Sequence, residues 1–282
     1  MKIIHTISEL REALSDDRAH GRSVGLVPTM GALHGGHEQL MSRAAAVADV
    51  VVATIFVNPL QFAPSEDLDN YPRMLEADAA AAERAGVDYL FAPSDSEMYP
   101  KENWTTVSVD VISQGWEGDS RPTHFDGVAT VVTKYFNIVG PCTGFFGEKD
   151  FQQLALLKRM AADLNLDVDV VGVPTVREDD GVAMSSRNLR LTPEHRAQAP
   201  VLQQGLQAGA AAIESGERDP GRVEQVVRDV ITTAPDAELD YVAVVDADSL
   251  RTPPTLAGET RLLTAVRFGD VRLLDNIGVS IT

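Results

Sequence analysis

The feature that most limits what this chain can fold into is a rhythm in its first 175 residues, where short apolar runs alternate with amphipathic stretches of helical length. The runs at 23–27, 50–57, 88–92, 144–147 and 168–173 are too short for helices and apolar enough to read as buried strands. Between them, 37–48, 73–84, 127–139 and 151–165 carry the spacing of amphipathic helices. Strands alternating with helices at this pace predict βαβ units around a parallel sheet, an α/β, Rossmann-like domain over 1–175. Ligands of such sheets sit beyond the carboxyl ends of the strands, so the residues after each run are the ones to inspect.

After Pro174 the pattern changes. Thr192-Pro193-Glu194 reads as a helix start, with helical stretches to about 213 and over 220–231. Strand candidates follow at 239–245, 261–268 and 271–274. These predict a smaller C-terminal α+β domain over 176–282, joined by the polar loop 177–181.

Charge narrows the partners. Lys and Arg number 24 against 42 Asp and Glu, a formal net charge of −18. Nucleic acid and anionic lipid need broad basic patches, so neither is expected. A nucleotide needs only a few cations and backbone N–H groups in a cleft. One cysteine, Cys142, excludes an intramolecular disulfide and a cysteine-built zinc site. The opening residues lack a signal peptide's apolar core, and the longest apolar stretch, 50–57, is far short of the roughly 20 residues a membrane span needs. These readings point to a cytoplasmic protein without a membrane segment.

Four stretches carry chemistry. Pro28-Thr29-Met30-Gly31-Ala32-Leu33-His34-Gly35-Gly36-His37 lies where a strand ends and a helix begins. Its glycines permit close backbone approach, and the helix start offers unpaired N–H groups to an anion. His34 and His37, two of only six histidines, are one turn apart and can donate to phosphate oxygens. Asn58-Pro59-Leu60-Gln61 follows the second run; its two amides could read a small substrate's hydroxyls and carboxylate, although alone it is an ordinary Asn-Pro turn. Gly147-Glu148-Lys149-Asp150-Phe151-Gln152-Gln153 offers Lys149 to phosphate and Asp150 to ribose or as a helix cap, with Gln153 one turn in. Met184-Ser185-Ser186-Arg187-Asn188 pairs two hydroxyls with a guanidinium, which suits a triphosphate or a plain linker.

In this order, the four stretches resemble the pantothenate synthetase (pantoate–β-alanine ligase) family, and the resemblance runs on through 240–246 and Leu273-Leu274-Asp275-Asn276. His34-Gly35-Gly36-His37 is similar to the HIGH-type turn of a wider nucleotidyltransferase superfamily, and 184–187 to its second phosphate loop. The resemblance implies an AMP-forming ligase that joins (R)-pantoate to β-alanine through a pantoyl-adenylate, with Mg²⁺ accompanying ATP. It implies catalytic roles for His37, His34 and Lys149. ATP would be held by Met30, Gly31, His34, Gly36, His37, Gly147, Glu148, Lys149, Asp150, Val176, Met184, Ser185, Ser186 and Arg187. Gln61, Gln153 and Asn58 would hold the acid and amine substrates, with Pro28, Val131, Val132 and Phe146 as apolar walls beside Met30. The metal ligands are unassigned; Asp78 is the one acid proposed near the ion. A homodimer is also implied, for which the 50–57 strand and its neighbouring helices are candidates. Two other readings share the histidine turn: a nucleotidylyltransferase acting on a phosphorylated acceptor, and a nucleotide sensor without turnover. The uncharged Asn58 and Gln61 speak against the first.

Overall fold

Valine-rich runs with no water-facing side can be satisfied only between neighbouring strands and covering helices, and among the described residues six strands form an all-parallel sheet. The strands are β1 (Lys2–Ile4), β2 (Val24–Val27), β3 (Val50–Thr54), β4 (Tyr89–Phe91), β5 (Cys142–Gly147) and β6 (Val168–Val173), in the order β1-β4-β3-β2-β5-β6. The helices of this half are α1 (Ile7–Ala19), α2 (Gly35–Ala45), α3 (Leu75–Arg84), α4 (Asp95–Met98), α5 (Glu117–Ser120), α6 (His124–Val139) and α7 (Phe151–Asp163). From β2 the chain steps outward to β3 and β4, then returns to the other flank of β2 as β5. In open α/β sheets such a reversal marks where ligands bind, here beyond the carboxyl ends of β2 and β5.

This computed structural model describes residues 1–62, 68 and 71–282. The chain divides into two units, one of Met1–Glu148 with Gln152–Pro174 and one of Lys149–Phe151 with Thr175–Thr282. The second unit holds α8 (Pro193–Gln198), α9 (Val201–Glu214) and α10 (Pro220–Ile231) with the antiparallel sheet β7 (Glu238–Asp246), β8 (Gly258–Phe268) and β9 (Val271–Ile281). In α10, Val223, Val227 and Ile231 recur every fourth residue, so one stripe of the helix is fully buried against the core built on Leu262, Val266 and Phe268. Asp219 caps its start and Pro220 takes the first position.

The structure departs from the sequence reading at several points. Lys2–Ile4 is an edge strand and Ile7–Ala19 a helix capped by Thr6. The helix expected from 192 to 213 is two, because Pro200 lacks the N–H that would continue the first. β9 runs on to Ile281 rather than stopping at Leu274. The 50–57 run is a strand only over Val50–Thr54, and this β3 is buried throughout and paired on both sides, by β2 and β4. Among the described residues, no helix is long and apolar enough to cross a membrane.

Candidate active site

The turn after β2 is held from beneath. Gly31 has φ +86°, and a Cβ there would meet Asp78 Oδ2 at 2.9 Å, so the position admits no side chain without displacement. Asp78, on α3 and 2 % exposed, accepts from the Ala32 N–H through Oδ2 (3.0 Å) and from the Leu33 N–H through Oδ1 (2.8 Å). The acid proposed near a metal therefore turns both oxygens onto the turn's backbone and acts as its strut. Thr29 ties the start of the turn to β3, donating its N–H to Thr54 Oγ1 at 3.1 Å.

His34 is the N-cap of α2, and its Nδ1 accepts from the Gly36 N–H at 3.2 Å. His37 closes the reciprocal half of this capping box, its Nδ1 accepting from the His34 N–H at 3.3 Å. A ring nitrogen that accepts carries no proton, so these bonds assign the neutral rings' hydrogen to Nε2 in both. The two rings lie 4.1 Å apart between centroids. The sequence places two imidazoles at a helix start; the structure adds that each is oriented by the backbone it caps.

The corner after β3 is built around a buried amide. Asn58 is 1 % exposed and donates to Gln61 Oε1 (3.2 Å) and the Gly127 carbonyl (3.0 Å). Its Oδ1 accepts from Tyr99 Oη at 2.8 Å and the Leu60 N–H at 3.3 Å. Burial pushes the Tyr99 phenol above its usual range, which keeps it a donor to Asn58. Asn58 thus orients Gln61, whose Nε2 reaches Met30 Sδ at 2.9 Å. The Gln61 carbonyl accepts from His124 Nδ1 at 3.0 Å, a pairing across 63 positions that residue spacing does not suggest. The 3-10 turn Pro59–Gln61 can lie this close to α6 only because residue 127 has no Cβ; one would sit 2.3 Å from the Leu60 carbonyl oxygen and 2.5 Å from the Gln61 N. Gly127→Ala is expected to lower stability by about 2 kcal/mol through overpacking. An unchanged urea midpoint would show that the corner yields instead.

Of the proposed apolar walls, Val131, Val132 and Phe146 are 4–5 % exposed, so the surface they can offer a ligand is small. Gln153 lies half-buried on the first turn of α7, while its neighbour Gln152 faces the protein, donating to the Ile112 carbonyl at 2.9 Å.

The second unit gathers the other motifs. Lys149, Ser185, Arg187 and Asn188 line one cavity together with Arg272 and Asp275. Ser185 Oγ caps the 3-10 turn Ser186–Arg190 by accepting from the Arg187 N–H at 3.3 Å. The Met184 N–H donates to the Val176 carbonyl at 2.8 Å, which pins the loop's base. Asp150 Oδ1 stands 3.6 Å from Lys149 Nζ.

Behind this loop is a charge network. Asn188 Nδ2 donates to Glu178 Oε1 (2.9 Å), and Arg196 bridges Glu178 (2.7 Å) and Asp180 (2.6 Å). Hydrogen bonds from Arg196 are the main cause holding both carboxyls below their ordinary range. With folded values depressed, the stabilisation is present above the unfolded range of roughly 4 and is lost as pH falls through the folded values. The Tm difference between the parent and Arg196→Ala is expected to narrow as pH drops from about 6 to about 3. A difference constant across that window would mean the bridges contribute nothing.

The comparisons agree on one family. The profile of pantoate-beta-alanine ligases matches residues 2–278. The chain is 51% identical over 281 residues to the pantothenate synthetase of Heliobacterium modesticaldum, covering 100% of both. It is 50% identical over 277 residues to that of Brucella canis, covering 98% of this chain and 94% of the relative. The crystal structure of the Thermus thermophilus pantothenate synthetase superposes with a TM-score of 0.91 at 45% identity, over 98% of this chain and 99% of that one. A Francisella tularensis pantoate-beta-alanine ligase, solved in complex with beta-gamma ATP and beta-alanine, superposes with a TM-score of 0.79 at 32% identity, over 98% and 97% of the two chains.

Proposed function

The chain belongs to the pantoate–β-alanine ligase family, and from that premise we propose how its residues divide the work of the reaction. It is an ATP-dependent ligase that condenses (R)-pantoate with β-alanine. A carboxylate is a poor acylating agent until one of its oxygens becomes part of a good leaving group. The pantoate carboxylate therefore attacks the α-phosphorus of ATP and expels pyrophosphate. The β-alanine amine then attacks the acyl carbon of the pantoyl-adenylate and releases AMP.

The single observation that carries the site assignment is the cavity in which Lys149, Arg187 and Ser185 meet, two cations and a hydroxyl suited to phosphate oxygens. Lys149 offsets the charge that grows on the α-phosphate, and Ser185, Ser186 and Arg187 bind the triphosphate. His34 and His37 present Nε2–H donors to phosphate, with His37 the hydrogen-bond donor toward departing pyrophosphate. Met30, Gly31 and Gly36 form the backbone of that turn, beside Glu148 in the nucleotide-binding set. Gly147 and Asp150 take the ribose; a Cβ at Gly147 meets nothing within 4 Å, which supports open space there. The Val176 backbone takes the adenine. Gln61, held by Asn58, and Gln153 bind pantoate, with Pro28, Met30, Val131, Val132 and Phe146 as its apolar walls.

Among the described residues, no group of three His, Cys, Asp or Glu could hold a metal. Mg²⁺ accompanying ATP would be held by phosphate oxygens and water and would supply positive charge to the phosphates. A homodimer rests on the family resemblance alone, and a cytoplasmic location is consistent with a biosynthetic enzyme.

A single turnover with ATP and pantoate is expected to release pyrophosphate before any β-alanine is added, and AMP once it is. Pyrophosphate released only with a nucleotide or phosphopantetheine acceptor would make the protein a nucleotidylyltransferase instead.

A further inference from the structure

Lys149 is carried by a three-residue corner, Lys149–Phe151, that follows β5 and ends on the first residue of α7 yet belongs to the second unit. Two side chains of the second sheet hold it. Asn276 on β9, 3 % exposed, donates from Nδ2 to the Lys149 carbonyl at 2.8 Å. Its Oδ1 accepts from Arg261 Nε of β8 at 2.7 Å. Arg261 in turn sets its guanidinium carbon 4.0 Å from the centroid of the Phe151 ring. The corner is thus gripped at the backbone of 149 and at the ring of 151. The preceding residue on β9, Asp275, meets Arg177 through two bonds of 2.6 and 2.9 Å and so fixes the base of the loop that leads to Ser185.

We propose that Asn276, braced by Arg261, is a positioning residue that fixes the backbone from which the Lys149 ammonium reaches the α-phosphate during adenylation. The chemistry suits a carboxamide: linking an arginine N–H to a backbone carbonyl takes a group that accepts on one side and donates on the other. A buried amide used this way is costly unless both ends are satisfied, and here both are. Electrostatic stabilisation of a transition state depends on the charge standing where charge develops, and displacement by about 1 Å can cost on the order of 100-fold in rate.

The inference rests on the role given to Lys149 above, so its test includes that residue. The measurement is pantoate-dependent exchange of pyrophosphate into ATP without β-alanine, for the parent, K149A, N276D and the double variant. Aspartate keeps the shape and the bond from Arg261 but cannot donate to the Lys149 carbonyl. N276D is expected to lower kcat for exchange about 10- to 100-fold with the ATP KM within about threefold, and to cause no further loss in the K149A background. Arg261→Lys, which removes the Nε donor but keeps a cation, is the second variant should N276D not fold. It is expected to lose about threefold or more in kcat, again only when Lys149 is present. A rate unchanged in both variants, a rise in KM alone, or a loss that multiplies fully onto K149A would overturn the positioning role while leaving the Lys149 assignment standing. An unchanged rate in K149A itself would overturn that assignment and this inference with it.

Discussion

Replacing Lys149 by alanine is expected to reduce turnover by about 100- to 1,000-fold, the loss typical of removing one preorganised charge-stabilising group, while leaving the fold intact. The Lys149 side chain is 19% exposed and lines the cavity shared with Ser185 and Arg187. Its carbonyl, not its ammonium, makes the bond that anchors the corner, so alanine keeps the anchor. The loss should fall on the adenylation step, where negative charge gathers on the α-phosphate, and much less on substrate affinity. Rapid-quench measurement of pyrophosphate, with a thermal melt as control, separates the two. Turnover within about threefold of the parent, on a scale where such groups are worth orders of magnitude, would remove Lys149 from the mechanism.

His37→Asn is expected to cost about 100-fold in kcat with an unchanged Tm, and His37→Ala the same rate loss with about 1 kcal/mol less stability. The contrast follows from the two jobs of one ring. Nδ1 caps α2 by accepting from the His34 N–H, which leaves Nε2 as the donor. The asparagine Oδ1 can reproduce the acceptor, but nothing in that shorter side chain reaches where Nε2 stood. A fully active His37→Asn variant would mean the ring is only a cap. Its failure to melt at the parental temperature would mean the acceptor was not reproduced.

Most of the parallel sheet and its longer helices were legible because their periodicities are local: five of the strands are apolar runs, and Val223, Val227 and Ile231 mark α10 unaided, whereas α1 and the one-turn helices α4 and α5 were not legible. Lys2–Ile4 was not, since three residues at a sheet edge leave no pattern. The end of β9 was hidden because Asp275 and Asn276 interrupt its apolar run, and their burial is balanced by Arg177, Arg261 and the Lys149 carbonyl, distant in sequence. The same limit applies at the site. The residue types at His34, His37, Lys149 and Ser185 are those from which phosphate chemistry is expected. That Asp78 braces a turn and that Asn58 orients Gln61 are matters of tertiary hydrogen bonding, which spacing alone does not encode.

The three residues 149–151 also decide how the gene can be dissected. A fragment ending at Pro174 would retain Lys149 but discard Asn276 and Arg261, and one starting at Thr175 would keep those two side chains with nothing to hold. The polypeptide crosses from one compact unit to the other at 148/149, 151/152 and 174/175, so a single cut cannot separate them cleanly. Half-length pieces should therefore be poor reagents for assigning activity to either part, and complementation from two separately expressed halves would have to rebuild that small splice before any catalysis returned.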